Sequence, residues 1–316
     1  MMKNIPYFPG LDILKYVMAL LIVAGHCSLF VEYPVFYDAF AHVTEIAVPT
    51  FFAISAYLFF SKLEAAPTES DIIFKHTIRR LLIFFAIWYI LMLPYSIPHF
   101  FMKANIKELL FVIPFGCAFS GYWFIKALIF NTVILFLFCR GEKGLIICAI
   151  LSLLVYLWGG YDYIYGRLAQ KLHPYYTFYY HTIAFSIGAL MARYQRLIPK
   201  NNTILVIAIA VVFVASFIPD IRVISKIIYP FLLISLFLSI KNGNMDVCKK
   251  MRGMSILYYT MQFGLIFLYN YLFQSHKFFS NSIIRFTIIV FLVTLISLTI
   301  LYLEKKKSFS FLRYLH

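Results

Sequence analysis

Charge is what this sequence has least of. Only 13% of its 316 residues are charged and 63% are hydrophobic, against about 25% and roughly 45–50% in soluble domains. Acidic residues are the scarcer kind, 13 Asp and Glu against 28 Lys and Arg. Cysteine is sparse and unpaired in spacing: Cys27, Cys117, Cys139, Cys148 and Cys248 form no CxxC pair and lie in or beside apolar stretches. That argues against a zinc ribbon or a disulfide framework and predicts small core hydrophobes. There is no HExxH helix motif and no GxxxxGK[ST] phosphate loop. No linker, repeat or low-complexity tract separates one region from another, so the expectation is a single domain over residues 1–316.

Apolar windows are what is present. Stretches of about 20 residues recur from end to end, and each is long enough to cross a bilayer as a helix. The expected fold is all-α, a polytopic membrane bundle of about ten helices near 11–30, 41–61, 78–97, 121–139, 144–159, 176–193, 203–218, 223–240, 254–273 and 282–303. The first stretch has a short basic lead, no small-residue cleavage site and Lys15 inside it, so it reads as a permanent span rather than a signal peptide. Residues 106–120 are apolar but broken by Pro114 and Gly116, which suits a re-entrant or interfacial piece.

The net charge of +15 does not point to nucleic acid, because the basic residues are scattered over short connections. Lys62, Lys75, Arg79, Arg80, Arg140, Lys143, Arg193, Arg196 and Lys200 fall on one set of connections, together with Lys249, Lys250, Arg252 and the terminal run Lys305–Lys307. The positive-inside rule then predicts both termini in the cytoplasm of a bacterial-type inner membrane.

The polar residues within spans carry the chemistry. In "LDILKYVMALLIVAGH" (11–26), Lys15 and His26 are eleven positions apart. At 3.6 residues per turn they share a face but stand about 16 Å apart along the axis. Asp12 and Lys15 are three apart and can pair. His26 has two readings: a neutral imidazole bonded to a neighbouring helix, or a general base that works near neutral pH. In "HVTEIAVPTFFAISAYLFF" (42–60), Glu45 is placed to be solvated or functional, Pro49 should kink the helix, and Ser55 either back-bonds to its own helix or lines a cavity. Arg79 and Arg80 in "KHTIRRLLIFF" (75–85) either anchor to headgroups or grip a phosphate. Trp123 fits an aromatic belt, whereas Lys126 either snorkels outward or reaches a cavity. Tyr180 and His181 sit in the half of their span opposite the basic connections, and Ser255, Tyr259 and Gln262 share a helix face. A transporter or flippase of a glycan intermediate would use the same features, but no likeness stands out between the first five spans and the last five.

In their order these segments resemble the acyltransferase family 3 of integral membrane acyltransferases. The family's opening is matched by Leu11–Asp12 and Lys15-x10-His26, its second span by "PTFFAISAYLF", its basic third-span entry by "IRRLL", its Trp-Phe segment by "YWFIKAL" and its late Ser-x-x-x-Tyr stretch by "SILYYTMQ". Three positions depart: Ala56 where Gly is commoner, Gly121–Tyr122 where a His is frequent, and Gln262 where the family has His.

The resemblance implies transfer of an acyl group, often acetyl, from cytoplasmic acyl-coenzyme A to a hydroxyl of an extracytoplasmic or lipid-linked glycan. No permanently bound cofactor or metal is implied. It makes His26 the essential histidine and Lys15 its basic partner, with Arg79 and Arg80 as donor-binding residues. Trp123 and Tyr259 are candidate substrate contacts; Asp12, Glu45, Ser55 and His181 are candidate supporting groups. The chain shows no hydrolase-like domain of the kind some members append. Transfer is therefore expected within the membrane core, or the product passes to another protein.

Overall fold

A computed structural model of the chain describes residues 7–96, 123–139, 141–165, 181–241, 243–273, 276 and 278–316. The segment 106–120, Cys117, Gly121–Tyr122, Arg140 and Tyr180 lie outside the described residues.

Every regular element among the described residues is helical. In hydrocarbon a segment must satisfy its own backbone N–H and C=O groups, and apolar runs with no strand alternation do so only as helices. The helices are α1 (Pro9–His26), α2 (Pro34–Glu45), α3 (Ala47–Ala65), α4 (Ser70–Leu91) and the single turn α5 (Leu93–Ser96), followed by α6 (Trp123–Phe138), α7 (Glu142–Tyr165), α8 (Thr182–Arg193), α9 (Asn202–Ala215), α10 (Pro219–Leu238), α11 (Met245–Phe273) and α12 (Ser282–Leu303). Each predicted span overlaps a described helix, and the last coincides with α12 end to end.

Pro49 does more than kink the second span. The helix breaks at Ile46, between α2 and α3. Pro49 has no N–H to give the Glu45 carbonyl four residues back, and its ring crowds that oxygen, so α2 stops at Glu45.

By length and composition, four stretches of the described residues qualify as spans: Pro9–His26, Pro34–Ala65, Pro219–Leu238 and Ser282–Leu303. Helices α4, α7 and α11 are longer than a bilayer needs, at 22, 24 and 29 residues, but α4 and α11 open on charged turns. Helices α6, α8 and α9 are shorter apolar helices. The polarity is that of a multi-pass membrane protein. Ile147, Leu151 and Leu154 on α7, Val206, Val211 and Val214 on α9, and Phe291 and Leu295 on α12 point outward. Asn131, Ser186, Ser255, Thr260, Gln262 and Ser297 are buried. Water would select the reverse, whereas lipid accepts the apolar face and helix contacts take the small polar residues.

The chain forms two compact units, one built from Pro49–Ser239, the other from Phe8–Val48 with Ile240–His316. In the first, Tyr156, Ile183 and Val223 from α7, α8 and α10 form a buried cluster. The Tyr156 hydroxyl donates to the Val223 carbonyl at 2.9 Å, so the ring is buried without stranding its polar end. The rings of Phe74 and Phe136 stack 4.0 Å apart and join α4 to α6. In the second unit α11 packs along α1, with Tyr258 against Tyr16 at 5.5 Å between ring centres, and its hydroxyl also reaches Thr294 of α12.

Candidate functional site

Helix α1 is unbroken from Pro9 to His26, so Lys15 and His26 keep the helical spacing read from the sequence. Lys15 is half-buried and Asp12 is buried. Asp12 has a partner that local spacing does not reveal: Arg252 of α11, with its Nη1 3.9 Å from Oδ2.

His26 is the last residue of α1 and is exposed. Its ring lies against that of Phe263 of α11, centroids 4.5 Å apart and planes at 57°. Among the described residues its ring nitrogens have no hydrogen-bond partner. An imidazole acting as helix–helix glue should be hydrogen-bonded. One packed on a ring face with its nitrogens open can still take or give a proton.

The backbone beyond His26 is unusual. Ser28 has φ 49° and Phe30 has φ 70°, in the left-handed region. For side chains like these that conformation costs about 1–3 kcal/mol each and persists only where surroundings over-determine it. Those surroundings come from the start of α12. The guanidinium of Arg285 donates to the Cys27 carbonyl through Nε at 3.1 Å and also through Nη2. The Ser282 hydroxyl accepts the Phe30 N–H at 3.0 Å. The Glu32 carboxylate in turn accepts the Ser282 N–H at 2.5 Å and the Ser282 hydroxyl. Burial opposes ionisation of Glu32, but its hydrogen bonds from Ser282 prevail and hold the carboxyl below its ordinary value, helped by the charge of Arg285. Sequence reading missed Arg285, Ser282 and Glu32. The only trace was a lone arginine in the first turn of the last span.

The other candidates divide between the two units. In the Phe8–Val48 and Ile240–His316 unit, Glu45 is half-buried at the end of α2. Ser255 and Gln262 are buried, and both bond back to their own helix, Ser255 to the Arg252 carbonyl at 2.8 Å and Gln262 to the Tyr259 carbonyl at 3.1 Å. Tyr259 is half-buried. Cys27 and Cys248 are buried free thiols.

In the Pro49–Ser239 unit, Arg79 and Arg80 are both exposed on α4, and Ser55 is half-buried on α3. His181 precedes α8 and joins an aromatic cluster with Phe52, 5.3 Å away at 11°, and Trp123, 5.4 Å away at 25°, whose own ring centres lie 6.2 Å apart. Lys126 sits 5.6 Å over the ring of Phe85, a cation–π contact. Gly188 is a close-approach site: a Cβ there would stand 2.0 Å from the Ala53 carbonyl oxygen.

Comparison with known proteins bears on nearly the whole chain. The family model described as "Acyltransferase domain", that of acyltransferase family 3, matches residues 8–302. No curated protein and no solved structure matches.

Proposed function

We propose, from the premise that this chain belongs to acyltransferase family 3 and is a membrane acyltransferase, that it moves an acyl group, acetyl above all, from cytoplasmic acyl-coenzyme A to a hydroxyl of an extracytoplasmic or lipid-linked glycan. In this reading ten helices cross an inner membrane with both termini in the cytoplasm. His26 then stands toward the acceptor side, and Lys15 near the donor side.

The observation that carries the reading is His26 itself. It ends a membrane-length helix, is exposed, and packs on Phe263 with no hydrogen-bond partner among the described residues. As base it takes the proton of the acceptor hydroxyl. The oxygen attacks the thioester carbon, the new ester bond forms as the carbon–sulfur bond breaks, and the coenzyme leaves as its thiolate. Arg79 and Arg80, exposed on α4, supply forked cationic contacts for the phosphates of the donor. Trp123 and Tyr259 offer faces for substrate, and Asp12 braces the Lys15 end of α1 through Arg252.

Mass spectrometry of surface glycans from cells with and without the gene tests the reading. The expected result is a loss of one acyl mass per modified sugar. Identical spectra, with the protein expressed, count against it.

A further inference from the structure

We propose that Arg285 is a positioning residue: by gripping the Cys27 carbonyl from the first turn of α12, it fixes the end of α1 and with it the direction in which His26 presents its imidazole. The inference rests on the reading of His26 as the base.

Four observations support it. First, a helix leaves its last carbonyls without partners inside the helix. Away from water those oxygens need donors, and a guanidinium supplies two N–H groups together with a positive charge at the negative end of the helix dipole. Arg285 does this for the residue that follows His26 in the chain. Second, His26 has no hydrogen bond of its own among the described residues, so its direction is set by Phe263 and by its backbone. Third, the two left-handed residues, Ser28 and Phe30, lie directly past the grip, where slack in the turn would let the end of α1 unwind. Fourth, the turn has a second tie on the same helix start, Phe30 to Ser282 and Ser282 to Glu32. Two ties 250 or more residues away in the chain meet a seven-residue connection that needs no such bracing merely to join two helices.

The test uses the full protein in native-host membranes, with acetyl-coenzyme A as donor and the endogenous acceptor, and reads two quantities. One is maleimide labelling of Cys27, which is fully buried, with buried Cys248 as the control for general unfolding. The other is the split between maximal transfer rate and KM for acetyl-coenzyme A. Arg285→Met should raise Cys27 labelling at least tenfold with Cys248 silent. It should lower the maximal rate at least tenfold and leave KM within twofold. Arg285→Lys, which still donates to the carbonyl, should recover most of both.

Unchanged Cys27 labelling overturns the proposal, and so does a raised KM at an unchanged maximal rate, which would make Arg285 a binding group. If Arg285→Met also exposes Cys248, Arg285→Gln carries the test, because it keeps a polar side chain while removing the charge and the two-pronged reach to the Cys27 carbonyl. A rise at Cys27 alone, with a reduced rate, supports the proposal, and silence at Cys27 overturns it. A parallel His26→Gln arm separates the two ideas. Retained transfer there removes the base, while the Cys27 result still reports on the tie.

Discussion

The imidazole of His26 rests on the ring of Phe263, centroids 4.5 Å apart, and this contact joins the last residue of α1 to the middle of α11. An imidazole held this way is oriented by a neighbouring ring instead of a hydrogen-bond partner, and its proposed role as base can be tested directly. His26→Ala should leave expression and membrane insertion intact, since it exchanges one polar group for a better helix former. Acyl transfer should fall by roughly 10²–10⁴-fold, the range for loss of a general base. His26→Gln keeps hydrogen-bonding capacity without useful basicity, so it should fall as far. Near-normal transfer in the Gln variant would make the histidine structural and move the search to His181 and Glu45.

Arg79 and Arg80 are both exposed on α4. Neutralising the one that meets the donor should weaken coenzyme A binding by about ten- to hundredfold, the equivalent of the roughly 1.5–3 kcal/mol of a hydrogen bond to a charged group. Titration calorimetry on Arg79→Gln and Arg80→Gln checks this. Unchanged affinity in both, with the protein folded, removes them from the donor site.

Gly188 has no room for a side chain, because the Ala53 carbonyl oxygen would lie 2.0 Å from a Cβ and backbone has to move to make space. Gly188→Ala should lose about 1–3 kcal/mol of stability, the usual cost of overpacking, in spite of its better helix propensity. A melting temperature in detergent equal to that of the parent protein would show that α3 and α8 can separate freely.

Glu32 titrates below its ordinary value in the folded protein. Such a group contributes stability above its unfolded value, and the contribution is lost as pH falls through the folded value. The melting-temperature gap between the parent protein and Glu32→Gln should therefore be full at neutral pH and close under acid conditions below the usual carboxylate range. A gap that widens in acid would mean that Ser282 does not hold the ionised carboxylate.

Reporter fusions at His316 and near Arg167 should report opposite sides of the membrane if ten helices cross it. The same side for both would mean a different number of crossings.

The sequence alone determined the class and most of the helix positions. Apolar runs of membrane length can satisfy their backbone only as helices, so 282–303 could be read off as α12, and the Lys15–His26 spacing as one face of α1. Proline chemistry announced a disturbance near Pro49, and the tertiary structure settled it as a break at Ile46, just past the Glu45 carbonyl that Pro49 cannot serve.

The partners belonged to tertiary structure alone. Arg285 and Cys27 are 258 positions apart, and Ser282 and Glu32 are 250. Local periodicity says which face of a helix is polar, but not which neighbour meets that face. Asp12 illustrates the limit: three-residue spacing offers it Lys15, and only the packing of α11 on α1 adds Arg252 as a partner. Which side chains meet across helices is set by helix packing, and that information is not written in any one segment.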